Sequence, residues 1–216
     1  MGVPNMIWTG KLGSKHAIIL PCFHRQYELT AMVQRLSKED VWSVSKKLLM
    51  CLQEIHLKCV IHADIKPSNI FLHVQNGSYQ VYLIDFGYAL IVNERRVSSQ
   101  HEPSSGSAAA IRGGTILFSS INWQHDRPIS YRDDLESLVY TLLYLRFGQL
   151  PWWNPRSGHI VLDEDVVKKL KQTWVDLPWA PTELVDLWHY ARELRVDEKP
   201  DYGYILGTIF RDDKHA

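Results

Sequence analysis

The stretch His62-Ala63-Asp64-Ile65-Lys66-Pro67-Ser68-Asn69, answered further along by Asp85-Phe86-Gly87, decides how this sequence is read. Moving a phosphoryl group asks little of a protein beyond a carboxylate to orient the attacking hydroxyl, a cation near the transferred phosphate, and oxygen ligands for magnesium. Asp64 suits the carboxylate role, and Lys66 stands close enough in the chain to reach the same place. Asn69 and Asp85 carry oxygens of the hard type that magnesium prefers. Gly87 leaves the backbone free to turn beside Asp85. Taken singly, Asp85 would be a turn aspartate at a strand end and Lys66 a solvated surface lysine; two spaced motifs in order carry the weight.

Working outward, Asn69 to Val74 and Gln80 to Ile84 alternate like strands, and Asn76-Gly77 between them supplies the turn of a hairpin that would return Asp85 to the side of Asn69. Upstream, Ser37 with Asp40 reads as a capping box, and Val41, Val44, Leu48, Leu49, Leu52 and Ile55 recur at helical spacing. Further upstream, Gly2 to Thr9 and His16 to Leu20 read as strands joined by a Gly10-Lys11-Leu12-Gly13 turn, with Pro21 ending the second. Downstream, Val97 to Ala110 is rich in Ser, Gly, Pro and Ala and reads as a mobile loop, with Ser98 to Ser107 open to phosphorylation. Leu135, Leu138, Val139, Leu142 and Leu143 then mark a strongly apolar helix, stopped by Gly148 and Pro151, that should be the buried centre. Asp163 to Trp174 and Pro181 to Leu194 are two more helices, the second with Pro at its first turn. Tyr202 to Phe210 is a last helix, interrupted by glycines.

Composition bounds the possibilities. The 216 residues are 45% hydrophobic and 22% charged, which suits one well-buried core. Lys plus Arg and Asp plus Glu balance at 24 each, so no net field draws nucleic acid or anionic lipid to the chain. Cys22, Cys51 and Cys59 are too few for a disulfide framework and form no metal spacing, which fits a reducing compartment. No apolar stretch reaches membrane-spanning length. The expectation is a soluble intracellular protein, cytoplasmic or nuclear.

H-x-D-x-K-x-x-N followed by D-F-G resembles the catalytic and magnesium loops of eukaryotic protein kinases. Gly114-Thr115-Ile116-Leu117-Phe118-Ser119-Ser120-Ile121-Asn122, Arg132-Asp133-Asp134-Leu135-Glu136-Ser137-Leu138, Leu150-Pro151-Trp152 and Glu198-Lys199-Pro200-Asp201-Tyr202 resemble the casein kinase 1 and vaccinia-related kinase group. Ile61-His62-Ala63-Asp64 and Val81-Tyr82-Leu83-Ile84-Asp85 are nearer the vaccinia-related branch. The resemblance implies an α+β fold: a mainly helical C-terminal lobe with short hairpins over residues 21–216, and a two-strand remnant of the N-terminal lobe over residues 1–20. It implies ATP and magnesium as ligands and a protein Ser/Thr hydroxyl as acceptor. By the same resemblance Asp64 would be the catalytic base, Lys66 the phosphate-stabilising lysine, and Asn69 and Asp85 the magnesium ligands. Thr115 would hydrogen-bond within the catalytic loop, Asp134 would hold that loop by its backbone N–H groups, and His62 would be a packing residue.

Two departures matter. Many kinases carry Arg where Ala63 stands, so switching through an arginine and a phosphorylated residue is not available here. The resemblance also places Gly2-Val3-Pro4 at the fourth strand of the N-terminal lobe, so that the glycine-rich loop, its lysine and the partner glutamate would lie before Met1. Gly10-Lys11-Leu12-Gly13 is a hairpin turn and no substitute for that loop. Val3, Ile7, Ile18 and Leu20 would then need a cover: a second copy, a lobe supplied in trans, or an intact kinase. Two functions follow from this pattern. One is a serine/threonine kinase whose activity is weak or partner-dependent; the other is a catalytically impaired, pseudokinase-like module that binds and regulates an intact kinase or its substrate.

Overall fold

The structure, a computed structural model, describes residues 2–24, 27–33, 35–92, 116–154, 159–161 and 163–211. The expected loop from Val97 to Ala110, its serines, and Thr115 lie outside the described residues. In chain order the elements are β1 (Trp8–Leu12), β2 (Lys15–Ile19), α1 (Leu29–Met32), α2 (Lys38–Leu57), β3 (Val60–Ile61), β4 (Ile70–Gln75), β5 (Ser78–Leu83), β6 (Leu90–Ile91), α3 (Ile121–Gln124), α4 (Tyr131–Phe147), β7 (Trp153–Asn154), β8 (His159–Ile160), α5 (Glu164–Thr173), α6 (Thr182–Glu193) and α7 (Tyr202–Tyr204). Among the described residues the strands pair as antiparallel two-stranded ribbons, β1 with β2, β3 with β6, β4 with β5 and β7 with β8. Helix and strand are thus mixed, in keeping with an α+β fold.

α2 begins where its sequence says it should. The Asp40 amide donates to Ser37 Oγ at 3.0 Å and the Ser37 amide donates back to Asp40 Oδ2 at 3.2 Å, satisfying two N–H groups that the first turn leaves open. Its apolar stripe, Val44, Leu48, Leu49, Leu52 and Ile55, is buried. α4 is the centre of the core, with Leu135, Leu138, Val139 and Tyr140 all fully buried. It packs against α2 and α6. It ends at Gly148, whose φ of +69° closes the helix in the left-handed region.

The β4–β5 hairpin pairs Ile70 with Leu83 and turns at Asn76 and Gly77, both at positive φ. The first hairpin differs from its expected outline. β1 starts at Trp8 rather than Gly2 and runs through Gly10 to Leu12, and the turn is at Gly13, at φ +64°. Gly10 is glycine for lack of space: a Cβ there would lie 2.4 Å from the Trp8 ring. Gly2 instead bridges Tyr82 beside β5, donating to Val81 O and accepting from the Leu83 amide. The other boundaries shift slightly. Pro181 is the N-cap of α6 rather than its first helical residue, and after α7 the chain widens into a π-helical turn over Ile205–Ile209.

Val3, Ile7, Ile18 and Leu20 are exposed, as are Trp8 and Leu12 on the same hairpin segment. Among the described residues no helix is long and apolar enough to cross a membrane. Because Leu138 is fully buried on α4, which packs against α2 and α6, Leu138→Ala should leave a cavity that its neighbours fill only in part. A loss of about 3 kcal/mol in urea unfolding is the expected result, with no change in the slope of the transition.

Candidate active site

The loop from His62 to Asn69 runs between β3 and β4 and is held from below by α4. Asp134, in the first turn of α4, is 1% exposed, and its carboxylate accepts the His62 amide at 2.7 Å and the Ala63 amide at 2.8 Å. A carboxylate is favoured near a helix N-terminus, and here it also spends its oxygens on a loop that has no ladder of its own. Ala63 is held at φ +64°, a left-handed conformation costly for a residue with a Cβ. The third partner of Asp134 is His56, on the last turn of α2, whose Nε2 lies 3.0 Å from Oδ2. The Tyr202 hydroxyl, in α7, lies 2.8 Å from His56 Nδ1. With Nε2–H donating to the carboxylate, Nδ1 accepts from Tyr202, and burial pushes that phenol well above its ordinary range. The chain Tyr202–His56–Asp134 thus links three elements to the loop.

Asp64 follows. Its side chain is 1% exposed; Lys66 Nζ stands 2.7 Å from Oδ2, and Asn69 Nδ2 donates to the same oxygen and to the backbone carbonyl of Asp64, both at 2.9 Å. Oδ1 is buried without a hydrogen-bond partner. A buried carboxylate oxygen with nothing to accept is costly, and a hydroxyl brought to it would satisfy it. The side-chain NH2 of Asn69 is thus committed to Asp64.

Asp85 joins by the backbone. The Ile84 amide donates to Asn69 O at 2.9 Å, one step beyond the β4–β5 register, so the chain delivers Asp85 next to Asn69. Asp85 is itself at φ +64°. Its Oδ1 accepts the Gly87 amide at 3.2 Å. Gly87 is not at positive φ; what it supplies is room, since a Cβ there would lie 3.0 Å from Asp85 Oδ1. The structure therefore brings Asp64, Lys66 and Asn69 into direct contact and sets Asp85 beside them through its neighbour. Asp134 grips the loop from behind.

His62 ties the two motifs together. Its Nδ1 accepts the Asp64 amide at 3.3 Å, so Nε2 carries the proton that is donated to Ile84 O at 3.0 Å. Its ring meets Phe86 edge-on at 4.7 Å. Burial pushes its pKa below the ordinary 6.5, against the opposing pull of Asp134. The imidazole is a neutral spacer with both nitrogens committed.

Sequence reasoning missed a second set of buried charges on the same helix. Asp133 Oδ1 accepts Ser120 Oγ–H at 2.7 Å and Asn122 Nδ2–H at 3.1 Å, and Oδ2 accepts the Ser130 amide at 2.7 Å. Glu136 Oε1 accepts the Ile121 amide at 2.9 Å and the Tyr140 hydroxyl at 2.7 Å, while Oε2 faces Arg192 Nη1 at 3.3 Å. Lys171, from α5, is fully buried. The signal was there: polar residues at positions where helical spacing puts the core. His56 is the same case, next to Ile55 on the buried face of α2.

All the oxygen donors of Asn69 and Asp85 are hard, and among the described residues no group of three or more His, Cys, Asp and Glu could hold a metal alone. Hard oxygens are the kind magnesium takes, one or two from a protein with phosphate and water completing its shell.

Two outcomes follow for stability. Asp134→Asn keeps the shape but has one acceptor oxygen for donors on two sides, so at least one buried N–H is orphaned, and urea unfolding should show a loss of about 2 kcal/mol. His62 has a lower pKa folded than unfolded, so the unfolded chain binds the extra proton and stability falls as pH drops below about 6.5. The fall in urea midpoint between pH 7.5 and 5.5 should be smaller in His62→Gln than in the wild type; an equal fall would mean that His62 does not titrate in this way.

The sequence profile described as protein kinase domain matches residues 9–194, which spans both motifs, the hairpin between them and helices α2 to α6. With that match over most of its length, and with Asp64, Lys66 and Asn69 gathered at the end of the hairpin that carries Asp85, the chain belongs to the protein kinase domain family.

Proposed function

We propose that this chain is a serine/threonine protein kinase of the casein kinase 1 and vaccinia-related group, transferring the γ-phosphoryl group of ATP to a protein hydroxyl. The observation that carries the reading is the Asp64 carboxylate: one oxygen is fixed by Lys66 and Asn69, and the other is buried and unpartnered. An acceptor hydroxyl placed at Oδ1 donates its proton there as its oxygen bonds to the γ-phosphorus and the bond from phosphorus to the bridging oxygen breaks, leaving ADP. Lys66, now paired with Asp64, can turn its charge to the transferred phosphoryl oxygens. Asn69 and Asp85 would hold magnesium, which when bound draws charge from the phosphate oxygens. Residues 1–20 would belong to the smaller lobe and residues 21–216 to the larger one. Thr115 is assigned by resemblance alone.

A second reading, a regulatory module docking on an intact kinase, is favoured by one observation, the exposed apolar side chains of the first hairpin. It predicts a change in mass on size-exclusion chromatography when an intact kinase is added.

Phosphate transfer to casein or a basic test protein should fall by about a hundredfold or more in Asp64→Asn. Equal transfer by the wild type and the variant would remove Asp64 from the chemistry. Nucleotide binding is read separately: magnesium-ATP should raise the melting temperature with increasing concentration, and Asp85→Asn should lose most of that rise. A shift that survives the substitution would place the metal elsewhere.

A further inference from the structure

The buried polar chain behind the catalytic loop starts in a part of the sequence that the phosphoryl chemistry leaves unused. Tyr202 follows Asp201, which is fixed on two sides: its amide donates to the Tyr190 hydroxyl of α6 at 2.6 Å, and its carboxylate accepts the Tyr204 amide at 2.9 Å. From this anchored turn the Tyr202 side chain runs inward and is buried, with its hydroxyl 2.8 Å from His56 Nδ1. His56 Nε2 lies 3.0 Å from Asp134 Oδ2, the oxygen that also accepts the His62 amide. Asp134 Oδ1 accepts the amide of Ala63, the left-handed residue immediately before Asp64. The same segment meets the approach to the loop a second time, where Lys199 Nζ stands 3.8 Å from Cys59 Sγ.

A phenylalanine at position 202 would fill the space and spare the hydroxyl its desolvation. What it would lack is the donor. Burial, with the Asp134 charge nearby, pushes the phenol well above its ordinary range, so it keeps its proton and goes on donating. With Nδ1 occupied, the His56 ring is held with Nε2–H on the carboxylate. Without the hydroxyl, a buried nitrogen is left with no donor, and a ring that turns to find one takes Nε2–H away from Oδ2. The Ala63 turn then rests on a carboxylate with one holder fewer, and a left-handed residue with a Cβ keeps its place only while its surroundings over-determine it.

We infer that Tyr202 is a positioning residue for phosphoryl transfer: its hydroxyl fixes the His56 ring and, through Asp134, the turn at Ala63 that aims Asp64. The inference rests on the kinase reading and adds to it a control of the catalytic loop from the far end of the chain. Tyr202 acts through His56 and Asp134 and makes no contact of its own with the reacting atoms.

The test is steady-state transfer with the full chain, varying acceptor protein and magnesium-ATP separately, for wild type, Tyr202→Phe, His56→Gln and the double variant. Tyr202→Phe should lower kcat by about tenfold while both KM values stay within about twofold. His56→Gln keeps an N–H for Asp134 but loses the acceptor for Tyr202, so adding Tyr202→Phe to it should change kcat by less than about twofold. A full further loss in the double variant would mean that the hydroxyl acts by another route, and overturns the inference. Hydrogen exchange gives a readout free of catalysis: in Tyr202→Phe the amides of His62 and Ala63 should exchange faster by about fivefold or more, with those of Val139 to Leu143 in α4 unchanged. Unchanged exchange at His62 and Ala63, or a rise in step along α4 that marks general destabilisation, overturns it. Should Tyr202→Phe not fold, His56→Gln carries the exchange measurement with the same expected result. If the wild type transfers no phosphate to any acceptor, the kinase reading fails by itself, and exchange at His62 and Ala63 then decides alone: acceleration upholds the hold of Tyr202 on the turn, and no change overturns it.

Discussion

One carboxylate carries the architecture of the site. Asp134 is buried in the first turn of α4, and its oxygens accept the amides of His62 and Ala63 together with the His56 ring. Remove it and two amides and an imidazole face a core with nothing to accept them, each at about 1–3 kcal/mol. The left-handed turn at Ala63 depends on the same bonds. That turn aims Asp64 away from the helix and toward Lys66 and Asn69. The position of the carboxylate that would do the chemistry is thus set by a carboxylate that does none.

The same helix turn handles a second loop. Asp133 and Glu136 flank Asp134 and reach Ser120 and Ile121, while Lys171 closes the stretch from the side of α5. Asp133 is raised above the ordinary carboxylate range by burial, partly offset by its hydrogen bonds to Ser120 and Ser130. Apolar residues of equal volume at these places would leave the Ser130 and Ile121 amides without acceptors. Charged ones fix a register: they accept or donate at one geometry only, so a slip of either loop by a residue breaks several bonds at once. Both loops are therefore referred to one rigid element.

How far the sequence reveals this depends on whether a residue acts locally or at a distance. The capping box at Ser37 and Asp40, the Asn76-Gly77 turn and the Gly148 stop are local signals, and each falls where the structure has it. Asp64, Lys66 and Asn69 share one short stretch, so spacing alone suggested their meeting. The first hairpin was misplaced because its glycines look alike in sequence; Gly10 is a strand residue crossed by a tryptophan ring, and only Gly13 turns the chain. Lys171, His56 and Glu136 escaped because their partners lie far off in the chain, and a lysine or glutamate in a helix reads as solvent-facing until the helix is packed. The crowding of Gly87 by Asp85 is likewise invisible until both are placed.

His62 shows why the two motifs must come as a pair. Asp85 sits at positive φ, as does Ala63, and such conformations cost of the order of 1–3 kcal/mol each unless the surroundings over-determine them. The imidazole supplies that determination for both. Its backbone hangs from Asp134, one ring nitrogen takes the Asp64 amide, and the other donates to Ile84 O immediately before Asp85. A cationic ring would have no lone pair for the Asp64 amide, so the bridge exists only in one tautomer of the neutral form. Burial, which lowers the pKa of His62, favours the neutral ring whose two bonds hold these turns, distant in sequence, at a fixed separation.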